Sequence, residues 1–62
     1  MMINVKKELK SQERSLAWLS RQLGVSETCI YKWSTGRTIP SRANRIAIAS
    51  VLNMPYEELF KE

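Results

Sequence analysis

Apolar residues recur at spacings of three and four along most of this chain, the period of an amphipathic helix, and no stretch alternates as a half-buried strand would. The clearest segment is Ser15–Gly36, SLAWLSRQLGVSETCIYKWSTG, which reads as two short helices hinged at one glycine. Leu16, Leu19, Ser20 and Leu23 form one face of the first, with Ser15 as its start residue. Gly24 ends it, because glycine enters the left-handed region cheaply, and Val25 gives the turn an apolar anchor. Ser26 restarts the helix as an N-cap, with Glu27 favourably placed at the positive end of the new helix dipole. Ile30 and Trp33 then point inward, which turns Glu27, Thr28, Tyr31, Lys32 and Thr35 outward.

The remaining elements surround this pair. Met2, Val5 and Leu9 are spaced as one face of a weakly capped first helix expected to pack across the second and fourth, with Lys6, Lys7, Glu8 and Lys10 on its wet side. The polar run Lys10 to Arg14 predicts a fraying end and a short connection. Trp18 lies beside the apolar stripe of the second helix, either packed at the core edge or partly exposed. After Gly36, Pro40 interrupts helix formation and Ser41 caps a fourth helix beginning at Arg42. The run from Ile46 to Leu52 is apolar almost all round, with Ile48, Ala49 and Leu52 on its best-defined face, as in a central helix. Asn53 suits a left-handed terminator, and Pro55 the first turn of a last helix. Tyr56, Leu59 and Phe60 are the apolar face of that helix, and either close the core or form a dimer patch. The predicted fold class is all-α, a compact bundle of five short helices.

A chain of 62 residues is one small domain that buries only about 60% of its unfolded surface, so its stability should be modest. Cys29 is the single cysteine and histidine is absent, which excludes a disulfide framework and leaves a zinc site or a Cys-His nucleophile without partners. There is no paired-carboxylate cleft or phosphate-cradling glycine loop either, so an enzyme is not expected, and no cofactor or small-molecule ligand is called for. With no apolar run near the roughly 18 residues of a membrane span and no signal-peptide pattern, the expectation is a cytoplasmic protein without a membrane partner. The net charge of +4 is unevenly spread: positions 1–45 hold nine basic and three acidic residues, positions 46–62 one and three. That asymmetry favours a polyanionic partner at one end of the molecule.

With these residues in place, the chain resembles the Cro/C1-type (XRE-like) helix-turn-helix family of phage repressors and bacterial regulators. The resemblance rests on Leu19, Gly24, Val25, Ser26, Ile30, Trp33, Gly36, Pro40, Ala49, Leu52 and Leu59 at their spacings, and runs without insertion from residue 15 to 60. It implies one lambda repressor-like DNA-binding domain over residues 1–62, with the helix-turn-helix at 15–34. Leu16 stands where many members have a phosphate-clamping glutamine, and Ser20 where alanine is typical; such a serine can return its hydroxyl to the preceding turn.

The resemblance further implies a sequence-specific transcriptional regulator, a repressor, that binds double-stranded DNA as a homodimer and puts helix 26–35 into the major groove. Glu27, Thr28 and Lys32 fall on the family's base-reading positions, with Tyr31 adjacent. Lysine can donate to guanine O6 and N7, glutamate can accept from the cytosine amino group, and threonine can touch a thymine methyl. Glu27 has a second reading as a helix-dipole residue, and Lys32 one as a nonspecific phosphate contact. Phosphates would be held by Arg14, Ser15, Ser26, Thr35, Arg37, Thr38 and Arg42. The alternative is a protein-interaction module of the same fold, antitoxin-like or a phage assembly or packaging component, with weak unselective DNA binding.

Overall fold

Capping side chains divide the chain into its helices where the sequence places them. The computed structural model describes residues 2–60, which form α1 (Ile3–Ser11), α2 (Leu16–Leu23), α3 (Glu27–Ser34), α4 (Arg42–Leu52) and α5 (Tyr56–Leu59). The fold is all-α, with five short helices and no strand among the described residues. Ser15, Ser26 and Ser41 are N-caps whose hydroxyl oxygens accept from the backbone N–H of Trp18, Cys29 and Asn44 at 3.0, 3.1 and 3.2 Å. Each bond satisfies a donor that has no intrahelical partner. Pro55 is the N-cap residue of α5, with extended backbone at ψ 135°, rather than a residue of its first turn.

Gly24 ends α2 in the left-handed region at φ 73°, and the N–H of Val25 returns to the carbonyl of Ser20 at 3.1 Å, so three residues suffice to turn α2 into α3. Asn53 ends α4 in the same way at φ 56°. The end of α1 differs from the frayed end expected. Glu13 is left-handed at φ 56°, its N–H donates to Lys10 and that of Arg14 to Leu9, a closed Schellman turn. A side chain at such a position carries a backbone penalty that glycine avoids. Glu13→Gly is therefore expected to raise stability by about 0.5 to 1 kcal/mol, read as a higher urea midpoint.

The core collects the inward face of every helix: Met2, Val5, Leu9, Leu19, Ile30, Trp33, Ile48, Ala49, Leu52 and Leu59 are all buried. Ser20 is buried among them and satisfied, its hydroxyl donating to the carbonyl of Ala17 at 2.7 Å, as its place in the helix predicts. The hydrogen bonds of α1 run to the C-terminal end of α4 and to α5, where Gln12 Nε2 donates to the carbonyl of Leu52 at 3.0 Å and Asn4 Nδ2 to that of Glu58 at 3.4 Å.

That placement bears on the two readings of Tyr56, Leu59 and Phe60, as the closure of the core or as a dimer patch. Leu59 is only 1% exposed, and Tyr56 and Phe60 are half-buried with ring centroids 5.3 Å apart. The burial of Leu59 favours the core-closing reading, while Tyr56 and Phe60 keep part of their surface open. Arg45 is a local misfit: its Nε is buried and finds no acceptor among the described residues. An unmet buried donor costs about 1 to 3 kcal/mol. Arg45→Met keeps the unbranched stem and removes the donor, so it should stabilise the fold by roughly 1 kcal/mol in a thermal or urea melt.

Candidate nucleic-acid interface

Helix α3 is fixed on one side and open on the other. Ile30 is fully buried and Trp33 nearly so, while Glu27, Thr28, Tyr31, Lys32 and Thr35 are exposed, Tyr31 to 51%. Side chains four apart on a helix share a face, which puts Thr28 beside Lys32 and Tyr31 beside Thr35. The chain beyond α3 folds back on it: the N–H groups of Arg37 and Thr38 both donate to the carbonyl of Lys32, at 3.0 and 3.3 Å. Thr28, Tyr31, Lys32, Thr35 and Arg37 consequently line one shallow cleft of about 270 Å³. It offers two cations, the Thr28 hydroxyl and a phenol with no carboxylate in its lining, a set suited to phosphate oxygens and to acceptor-rich base edges.

The other proposed contacts fall in separate places. Glu27 is exposed in the first turn of α3 but does not line the cleft, consistent with either of its two readings. Ser15 and Ser26 spend a lone pair on their caps and keep the hydroxyl proton free to donate outward. Thr35 directs its hydroxyl to the carbonyl of Lys32 at 3.3 Å, which leaves its oxygen as an acceptor and makes it a poor phosphate donor in this rotamer. Thr38 faces a second cleft, of about 240 Å³, lined also by Met2, Ile3, Trp33 and Ile39. Arg42 leans toward α5, its guanidinium carbon 5.7 Å from the centroid of Tyr56, and is not gathered with Arg37. Arg14 stands at the entrance to α2, 4.7 Å from the ring centroid of Trp18. Position alone suggested neither pairing, since each depends on where a long side chain comes to rest.

Among the described residues no cluster of three or more His, Cys, Asp and Glu side chains could hold a metal ion, and no helix is long and apolar enough to cross a membrane. Cys29 is free and half-buried on the flank of α3. Set against protein-family models, curated proteins and solved structures, the chain matches none.

Proposed function

We propose that the chain is a sequence-specific double-stranded-DNA-binding transcriptional regulator of the Cro/C1 helix-turn-helix type, a phage or bacterial repressor acting in the cytoplasm as a homodimer on a two-fold site. In this reading α3 enters the major groove and presents Thr28, Tyr31 and Lys32 to base edges, while Arg37 and the N-terminal end of α2 hold the flanking phosphates. The observation that carries it is the cleft on α3, where Lys32 and Arg37 flank an exposed tyrosine on a helix whose back is locked into the core. A rigid base is what base readout requires, since a mobile lysine finds phosphate as readily as guanine. With Leu59 inside the core, Ile3, Ile39 and Ile46 are the exposed large aliphatic side chains among the described residues that a second copy could cover.

Selection of bound duplexes from a random pool tests the reading. The expected product is a sequence with two related half-sites about one helical turn, roughly 34 Å, apart. A pool that stays random after several rounds would remove base readout from the account.

The second reading, a protein-interaction module, draws support from Ile3 and Ile39, each 67% exposed and both lining the cleft beside Thr38. Under it, duplex binding is weak and indifferent to sequence.

A further inference from the structure

Trp18 has no part in the reading surface of α3, yet it holds a cation in place. The guanidinium carbon of Arg14 lies 4.7 Å from its ring centroid, inside the roughly 6 Å over which arginine is attracted to an aromatic face. Both ends of this pair are anchored. The backbone of Arg14 is fixed by its N–H bond to the carbonyl of Leu9 at 2.8 Å, directly after the left-handed Glu13. Trp18 lies in the first turn of α2, its N–H bound to Ser15 Oγ and its ring partly buried against the core. Arg14 itself is exposed, and its guanidinium carries a planar fork of N–H donors of which the ring face uses none as a conventional acceptor.

We propose that Trp18 is a positioning residue: its ring holds Arg14 in the orientation in which the guanidinium grips a phosphodiester oxygen of duplex DNA. The inference rests on the DNA-binding reading above and adds to it a residue that acts without touching the ligand. A free arginine loses much of its rotamer freedom when it grips a phosphate. Here the ring has restricted that freedom before DNA arrives, so binding orders less. The effect is sequence-independent and vanishes once Arg14 is gone.

The test is a double-mutant cycle read by fluorescence anisotropy, using a labelled duplex of random sequence about 20 base pairs long, two turns of B-DNA. Arg14→Ala should weaken binding severalfold and reduce the slope of log affinity against log salt by about one. Trp18→Leu should weaken binding about threefold, and Trp18→Phe, which keeps an aromatic face, should recover most of that loss. The double variant Arg14→Ala/Trp18→Leu should bind no more weakly than Arg14→Ala alone. Circular dichroism melts set a temperature at which every variant is folded, so a purely structural role for Trp18 would leave the losses of the two single variants multiplying in the double variant, with no coupling in the cycle.

Multiplied losses in the double variant, or a Trp18→Phe protein no better than Trp18→Leu, would overturn the positioning role while leaving DNA binding intact. Should Trp18→Leu fail to fold, Arg14→Lys serves in its place. Lysine keeps the charge but not the planar fork, and wild-type affinity would show that charge alone suffices. A wild-type protein that binds no duplex at low salt would overturn this inference together with the reading it rests on.

Discussion

Ile30→Ala is expected to leave the protein largely unfolded at room temperature. Ile30 is fully buried and is the residue through which the middle of α3 is fastened to the core, among Leu19, Ile48 and Leu52. Cutting such a side chain back to alanine costs about 2 to 5 kcal/mol, the transfer term plus the cavity left behind. A core of this size supplies roughly 3 to 5 kcal/mol of net stability, so the substitution consumes most or all of it. Urea titration followed by far-ultraviolet circular dichroism should show a folded baseline for the wild type and almost none for Ile30→Ala. The neighbouring Tyr31→Ala, on the exposed side of the same turn, should shift stability by no more than about 0.5 kcal/mol. Similar losses for both would mean that α3 does not bury the face described.

Lys32→Ala is the second large effect, and it falls on binding. Lys32 is exposed, lines the α3 cleft, and has its backbone carbonyl tied to the N–H groups of Arg37 and Thr38. As a base reader its removal should cost about 1 to 3 kcal/mol on the selected site and relax the choice of base at one position in each half-site. Arg37→Ala is the control for a phosphate contact: it should weaken selected and scrambled duplexes alike and lower the salt slope by about one. Band shifts on the two duplexes over a range of salt separate these outcomes. If Lys32→Ala lost equally on both, Lys32 would be a phosphate contact and the base-reading role would pass to Thr28 and Tyr31.

Much of the architecture is legible along the chain because its punctuation is local. A serine before an apolar period caps a helix, and Gly24 and Asn53 turn the chain left-handed where the period breaks. The burial of Leu19, Ile30, Trp33, Ile48, Ala49 and Leu52 follows from the same spacing. The rest depends on what lies across from a residue. Glu13 has a common helix-forming side chain, so nothing at its position announced that α1 would close through it in a left-handed turn. Leu59 sits on an apolar face at the end of a short helix, and only the packing of α5 against the bundle decides that it is buried while Tyr56 and Phe60 stay partly open. Arg45 occupies an otherwise solvated-looking position of α4 but buries its Nε. The outward row of α3 could be read from periodicity, whereas the approach of Arg37 to Lys32 arises from a loop that doubles back onto a helix carbonyl.

Chemical-shift mapping on a uniformly labelled sample titrated with the selected duplex decides whether α3 is the helix that meets DNA. The largest backbone and side-chain perturbations are expected on Glu27, Thr28, Tyr31, Lys32 and Thr35, with a second group at Arg37 and Thr38 and a third at Arg14 to Ala17 around the start of α2. Perturbations confined to Ile3, Ile39 and Ile46, with the outer face of α3 unmoved, would contradict it.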